Sequence, residues 1–234
     1  MMEREYLSRE PRQYTKKEKL QNWFYYNKWW LAVAAPIVYV AGSMIWNALG
    51  IGQAKPDYTF AYLGSLRLPE ESVEELEQAL AGLGEDRNGD GRVVVELNQY
   101  ITSSGESADN INYAYAAQMS VLADITEGLS TFFLLEDPEG FQQSFQILAH
   151  LDGSIPADDD LSGMDKVYRW TDCPALTGLE LGTYTDSYLD ITETGALQDW
   201  MSRLYLGRRY FYDASQQRDP AGDQALWEAM TAKE

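Results

Sequence analysis

Strands and helices alternate in the hydrophobic pattern of residues 57–150. Three stretches rich in aromatic and β-branched residues, or alternating apolar with polar positions, predict strands: 57–64, 92–101 and 131–135. Three stretches with apolar residues at helical spacing predict helices: 69–84, 109–130 and 137–153. Because strands that alternate with helices pair in parallel through right-handed crossovers, the pattern predicts an α/β fold, a three-layer domain with a mainly parallel sheet.

The apolar stripe of the second helix is predicted to face the core. It comprises Ile111, Tyr115, Met119, Leu122, Ile125 and Leu129. Beyond Gly153 the pattern weakens, and residues 166–184 predict one or two short strands. Two further helices are predicted, over 194–211 with Leu197, Met201 and Leu204 inward, and over 220–230.

One long segment, residues 29–49, carries no charge. At about 1.5 Å per residue a helix of this length spans roughly 30 Å, the thickness of a bilayer's hydrocarbon core. Trp29 and Trp30 at one end and Trp46 near the other suit the headgroup level. The segment therefore predicts a transmembrane helix in contact with membrane lipid.

Basic residues set the expected orientation of this helix. Residues 1–28 hold seven basic and four acidic side chains, whereas only Lys55 and Arg67 follow the span closely. The positive-inside rule then predicts a cytoplasmic tail (1–28), a linker (50–56) and an extracytoplasmic domain (57–234), hence a single-pass protein of the cell membrane. A signal peptide cleaved near residues 52–54 is the alternative, although its leader would be unusually long.

The predicted exterior domain is strongly acidic. Of the chain's 18 basic and 37 acidic residues, 11 and 33 lie beyond residue 28, a net charge of −22 there. Such a surface repels polyanions, so nucleic acid is not an expected partner. A single cysteine, Cys173, and a single histidine, His150, leave little material for disulfides, Cys-based zinc sites or Ser-His chemistry.

The segment GEDRNGDGRVVVEL at residues 84–97 resembles the start of a calcium-binding loop. Asp86, Asn88 and Asp90 occupy alternate positions, Gly91 follows at the sharp turn, and the carbonyl of Arg92 falls at the seventh position. These four residues are the candidate Ca²⁺ ligands.

The loop departs from the calcium pattern at its end. Leu97 stands where a bidentate acid is expected, and a strand follows instead of a helix. The alternative interpretation is a metal-free loop in which Asp86 and Asn88 form Asx turns while Gly89 and Gly91 supply positive φ. Both interpretations stay open at this stage.

A family resemblance rests on the segment EGLSTFFLLEDPEGFQQ. A helix ending at Gly128, a short apolar strand over 131–135 and a helix restarting after Asp137 resemble the first lobe of the extracytoplasmic solute-binding proteins of ABC importers. Ser130-Thr131 replaces the Pro-Asp pair common in that family, and the chain is too short for two lobes. The overall layout also resembles uncharacterised single-pass membrane proteins of Gram-positive bacteria.

The expected function is non-catalytic binding of a partner protein or small molecule outside the cell, and a carboxylate-based hydrolase is the alternative. In a parallel sheet the site should lie beyond the carboxyl ends of the strands. The residues expected there are Gly64-Ser65, Tyr100 to Ser104 and Glu136-Asp137.

Two charged groups have open roles in the sequence. Arg203, Arg208 and Arg209 could hold an anion or a partner's carboxylate, or pair with local acids. The run Asp158 to Asp160 is expected to be a solvated loop, with a second cation site as the alternative.

Overall fold

The structure is a computed structural model, and it describes residues 15–48, 55–65, 67–102, 108–188, 191–211, 217 and 219–232. The side chains of Leu31, of residues 45–48, 108–114, 186–188 and 191–193 lie outside this description. The chain divides into two units, Met1–Ala54 and Lys55–Glu234.

The first unit contains one long helix, α1 (Lys16–Ala48). It begins at a capping box, in which the main-chain N–H and hydroxyl of Thr15 donate to Glu18 at 2.9 and 3.1 Å. Apolar side chains described along α1 are exposed, among them Trp29, Ile37 and Tyr39. Within the described residues, no helix has both the length and the apolar character needed to cross a membrane. Leu49, the last residue of the predicted span, lies outside them.

The second unit is a mixed α/β domain, as predicted. Its strands are β1 (Tyr58–Gly64), β2 (Val95–Ile101), β3 (Phe132–Leu135), β4 (Val167–Arg169), β5 (Thr183–Tyr188), β6 (Ile191–Ala196) and β7 (Tyr205–Arg208). Its α-helices are α2 (Glu70–Ala81), α3 (Ala108–Glu127), α4 (Pro138–Phe145), α5 (Pro174–Thr177), α6 (Leu197–Met201) and α7 (Pro220–Thr231). Two 3₁₀ turns, Met164–Lys166 and Trp170–Asp172, flank β4.

A five-stranded sheet in the order β2-β1-β3-β7-β4 forms the centre of the domain. β1 pairs in parallel with β2 and β3, while β7 pairs antiparallel with β3 and β4. Four of the five strands therefore run in one direction and β7 runs against them. All four residues of β3 are buried, as expected of a strand covered on both faces.

Strand β7 corrects one prediction, since residues 194–211 were predicted to form a single helix. Only Leu197–Met201 is helical, and Tyr205–Arg208 then pairs with β3. Leu197, Met201 and Leu204, which were predicted to face inward, are all buried. Leu206 is also buried, because the pairing with β3 places it in the centre of the sheet.

Helix α4 ends earlier than predicted. Gln146 adopts the left-handed conformation at φ 50°, which terminates the helix at Phe145. Leu148 then forms a β-bridge with Arg209 instead of continuing the helix. His150, inside the predicted helix 137–153, therefore lies beyond the end of α4.

The orientation of α3 also differs from the prediction. Tyr115, Met119 and Leu122, predicted inward, are 64%, 44% and 45% exposed, whereas Val121 and Asp124 are buried. Among the described side chains of the predicted stripe, Ile125 alone packs against the core, beside the buried Val121 and Asp124. Ile111 lies outside the described side chains.

Candidate functional site: the carboxyl-edge cleft and its surroundings

A cleft of about 480 Å³ lies where β1 and β2 end and α4 begins, at the edge of the sheet where the sequence predicts a site. We call it the carboxyl-edge cleft. Its described lining residues are Leu63, Thr102, Tyr115, Gln118, Val121, Asp137, Gly140, Phe141, Ser144 and Phe145. Residues 103–107, which include the last two residues of the predicted Tyr100 to Ser104 segment, lie outside the described residues.

Aromatic and aliphatic side chains form most of the cleft. Phe141 packs at 5.0 Å from Phe133 of β3 and at 5.1 Å from Phe145 of the same helix, measured between ring centroids, with both ring pairs tilted by 47°. Leu63 and Val121 add aliphatic surface from β1 and α3. A few polar side chains, those of Thr102, Gln118 and Ser144, are available to orient a ligand.

The acids at this edge are engaged in local structure. Asp137 caps α4, with one carboxylate oxygen accepting from the main-chain N–H of Gly140 at 3.0 Å. Glu136 accepts from the main-chain N–H and hydroxyl of Ser65 at 2.6 and 3.1 Å, which ties the end of β3 to the end of β1. Among the described residues, Asp137 is the only carboxylate that lines the cleft.

A buried polar cluster fixes α3, one wall of the cleft, to the sheet. The Tyr100 hydroxyl donates to Asp124 at 2.7 Å, and the N–H and hydroxyl of Ser130 donate to the same carboxylate at 3.0 and 2.7 Å. Burial, with the adjacent carboxylate of Asp124, raises the pKa of Tyr100 far above its usual range. Tyr100 thus serves as a hydrogen-bond donor to α3 and does not line the cleft.

The four predicted calcium ligands lie together in the loop between α2 and β2. Asp86 accepts through its two carboxylate oxygens from the N–H groups of Gly89 and Gly91, both at 2.7 Å. Asn88 accepts from the N–H of Asp90 at 2.8 Å, and Asp90 accepts from the N–H of Arg92 at 2.9 Å.

These bonds give the Asx-turn interpretation a concrete form. Gly89 and Gly91 have φ of 74° and 85°, as that interpretation requires. The N–H of Gly91 is the main cause of the lowered pKa of Asp86. Each carboxylate oxygen has two lone pairs, so an oxygen that accepts one N–H can still bind a cation. Calcium binding here stays a prediction.

Arg87, which the sequence reasoning passed over, anchors this loop to the domain. Its guanidinium donates to Asp223 at 2.9 Å, to Asp219 at 3.1 Å and to the main-chain carbonyl of Asp57 at 2.7 Å. It also lies 4.9 Å from the ring centroid of Tyr58. We call this set the Arg87 network.

Asp57 completes the attachment of the loop. Its carboxylate accepts from the N–H groups of Arg87, Asn88 and Val94 at 2.9, 3.1 and 2.8 Å. Asp57 and Asp223 are both buried. The partners lie 30 and more residues apart in sequence, so no local motif could have revealed them.

A second acidic cluster surrounds the buried Lys166. His150, Asp160 and Asp165 offer ligand atoms within 4.8 Å of one another, the spacing of a metal site. The ammonium of Lys166, however, lies 2.8 Å from Asp160 and 3.1 Å from Asp165. It lowers the pKa of Asp160, chiefly by donating to that carboxylate. The cation of this cluster is therefore a side chain, and the predicted run Asp158 to Asp160 contributes one of its partners.

Comparison with known proteins gives no match: no family model, no curated protein and no solved structure corresponds to the chain.

The Arg87 network yields a prediction about stability. We expect Arg87→Gln to lower the free energy of unfolding by about 3 kcal/mol or more, because the buried carboxylate of Asp223 loses its counterion. The exposed Arg92 in the same loop provides the matched control, and Arg92→Gln should change stability by less than about 0.5 kcal/mol. Urea denaturation followed by tryptophan fluorescence measures both.

The same variant should show a defined pH dependence. Burial raises the pKa of Asp223 and Arg87 opposes that rise, so losing Arg87 raises the pKa further. When the pKa of an acid is higher in the folded than in the unfolded state, the folded state is destabilised as the pH rises above the unfolded-state pKa of about 4. The deficit of Arg87→Gln should therefore be larger at pH 8 than at pH 5, and an equal deficit at both would contradict this account.

Proposed function

We propose that this chain is a membrane-anchored, extracytoplasmic binding module that holds a small, mainly apolar ligand in the carboxyl-edge cleft. The single observation that supports the proposal is the composition of the cleft. Aromatic and aliphatic walls carry a few polar groups, the usual make-up of a ligand site. The cleft also lies where open α/β sheets bind ligands, beyond the carboxyl ends of parallel strands.

A hydrolase is the less favoured function. Glycosidase-type catalysis uses two carboxyl groups that flank the scissile bond, roughly 5–9.5 Å apart. The described lining supplies one, Asp137, and that carboxylate already caps α4. A single carboxylate that already caps a helix can favour a cationic ligand over an anionic one. It is less suited to acid–base catalysis.

The membrane anchor is part of the proposal. Aromatic and aliphatic side chains are exposed along α1, for example Trp30, Val38 and Met44. The uncharged part of α1, from residue 29 onward, exposes apolar side chains that favour an apolar surrounding, and the basic residues before position 29 favour a cytoplasmic N-terminus. The resemblance to one lobe of a solute-binding protein fits a small receptor held at the outer face of the membrane.

We further propose that the loop of Asp86, Asn88, Asp90 and the Arg92 carbonyl binds Ca²⁺ weakly and serves structure, not catalysis. Without a bidentate acid at its end, a Kd on the order of 10⁻⁴ to 10⁻³ M is expected, within the range of extracellular sites. Arg87, at the second position of the loop, would link Ca²⁺ binding to the stability of β1 and α7 through the Arg87 network.

Ligand binding is tested with three probes that share one aromatic ring: phenethylamine, 2-phenylethanol and phenylacetate. We expect cleft resonances in the NMR spectrum of the full chain to shift with all three, and phenethylamine to bind up to about fivefold more tightly than phenylacetate because of Asp137. Asp137→Asn keeps a capping side chain, removes the charge, and should abolish this preference.

The control for that experiment comes from α3. Tyr115 lines the cleft and is exposed, so Tyr115→Ala should weaken all three probes without unfolding the domain. Met119 is exposed on the same helix but is not part of the lining, so Met119→Ala should bind like the parent chain. If none of the probes perturbs the cleft, the binding proposal is wrong.

Topology is tested by labelling single cysteines. Cys173 is the only natural cysteine and is buried, so a membrane-impermeant maleimide should react poorly with the parent chain. On intact bacterial cells we expect strong labelling of Asp159→Cys, and labelling of Lys17→Cys only after permeabilisation. The opposite pattern would invert the proposed orientation.

The calcium proposal predicts a change in melting temperature. At about 10 mM Ca²⁺ the proposed affinity should stabilise the full chain by roughly 1–3 kcal/mol relative to EDTA, a rise of a few degrees. Asp86→Asn should abolish the rise, whereas Asp158→Asn, outside the loop, should retain it. An unchanged melting temperature and unchanged loop NMR shifts would refute calcium binding.

A further inference from the structure

Two consecutive arginines lie at the sheet edge opposite the cleft. β7 runs against its neighbours, so its last residue, Arg208, pairs with Phe132, the first residue of β3. Arg208 and Arg209 both line a cavity of about 230 Å³ at that edge. The other described lining residues are Thr131, Phe132, Asp152, Gly153, Phe211, Gln217, Pro220, Asp223 and Gln224. We call it the arginine cavity.

Both side chains are buried, Arg208 at 8% and Arg209 at 6% exposure. Among the described residues neither forms an ion pair with a carboxylate, although the domain is rich in acids. This outcome differs from the simpler of the two sequence expectations, pairing with local acids. Arg203, the third arginine of that group, is exposed. Burial lowers the pKa of both guanidinium groups, and the charges of Asp152 on Arg208 and of Asp124 on Arg209 offset this only in part. A buried cation without a directly bound carboxylate is costly, so the two positions need an explanation.

Neutral acceptors bind only some of the N–H donors of each guanidinium. Arg208 donates to Gln224 at 2.6 Å and to the carbonyl of Leu151 at 2.8 Å. Arg209 donates to the carbonyls of Ile125 at 2.9 Å and Ser130 at 3.5 Å, at the C-terminal end of α3. The Nε atoms of both arginines are buried and have no hydrogen-bond partner among the described residues. Each guanidinium has five N–H groups, so several donors are left on each.

Aromatic and helix-end contacts stabilise the charges without using those donors. Arg208 lies 4.6 Å from the Trp227 ring centroid and Arg209 lies 4.6 Å from that of Phe211. Arg209 also meets the negative end of α3, which has no basic residue in its last turn. These contacts explain how the arginines tolerate burial but leave the Nε groups unsatisfied, which is unusual for buried polar atoms.

We propose that the arginine cavity binds a small oxyanion, a carboxylate or a phosphate group, through Arg208 and Arg209. Guanidinium groups recognise both anions through paired N–H donors. Pro220 and Asp223 belong to the first turn of α7, so the positive end of that helix also lies at the cavity. The proposal concerns a second site and is independent of the carboxyl-edge cleft.

Two carboxylates line the arginine cavity and bear on its affinity for anions. Asp223 is already paired with Arg87 at 2.9 Å. Asp152 is exposed and accepts from the N–H and hydroxyl of Ser154 at 2.9 and 2.7 Å, so its charge still opposes an incoming anion. Replacing Asp152 by asparagine keeps an acceptor for Ser154 and removes that repulsion. A gain in anion affinity is thus a consequence that a purely structural role of the arginines does not share.

The test titrates the full chain, purified in a mild detergent, with sodium phosphate, sulfate or acetate, using sodium chloride to hold ionic strength constant. We expect phosphate to raise the melting temperature of the chain. We expect calorimetry to give a millimolar Kd for phosphate. Asp152→Asn should tighten that Kd by about threefold, Arg208→Gln should weaken it by about tenfold or more, and Arg203→Gln should leave it unchanged.

The three anions separate the sources of the oxyanion. Protection by acetate as strong as by phosphate identifies a carboxylate site, whereas protection by phosphate and sulfate alone identifies a tetrahedral oxyanion site. Equal melting temperatures in all four salts, or an unchanged Kd in Asp152→Asn, would overturn the proposal even if Arg208→Gln fails to fold.

Discussion

The burial of β3 is the constraint on which the rest of the domain depends. Its four residues have no exposed surface, and they pair in parallel with β1 on one side and antiparallel with β7 on the other. Phe132 packs between Phe60 and Trp227, at 5.0 and 6.4 Å between ring centroids, so this strand also joins the sheet to α7. The strand's two ends then define two different places: Asp137 and the cleft follow one end, and the arginine cavity borders the other.

A chain with so few basic residues uses several of them in its interior. Lys166 is fully buried, and Arg208 and Arg209 are almost so, while the side chain of Arg87 is 13% exposed within its network. The arginines join segments distant in sequence, whereas Lys166 contacts acids within six residues of itself. Arg87 joins the loop to β1 and α7, and Arg209, directly after β7, joins that strand to α3. Cations therefore bind part of the interior acids, while Asp57 and Asp124 are held by main-chain N–H and hydroxyl donors instead.

Local pattern predicted the first half of this domain well and the second half poorly. β1, β2, β3 and the intervening helices have clear periodicity, helix-ending glycines and the Asp137-Pro138 start signal, so their order and the position of the cleft could be predicted. β7 could not, because Leu197, Met201 and Leu204 imitate a continuous helix and only pairing with β3 reveals the strand. The early end of α4 could not be predicted either. Gln146 adopts the left-handed backbone conformation there, although Gly, Asn and Asp are the residues that usually do so.

The site residues divide in the same way. Asp86, Asn88 and Asp90 were visible because their spacing is local, and Asp137 was visible as a cap. Arg87, Asp57 and the arginine cavity depend on contacts between segments up to 136 residues apart, which no window of sequence contains. Among the described side chains of the predicted inward stripe of α3, only Ile125 packs against the core. The buried Val121 and the Asp124 carboxylate, bound by Tyr100 and Ser130, turn a different face of the helix to the sheet.

Lys166 carries a consequence for how the domain responds to its surroundings. Its ammonium contacts Asp160 and Asp165, two members of a His-Asp-Asp group whose spacing would otherwise suit an exchangeable ion. Because this cation is covalently part of the chain, neither a chelator nor dilution can remove it. The corner of the domain formed by residues 150–166 therefore keeps its neutralising charge in any ionic medium.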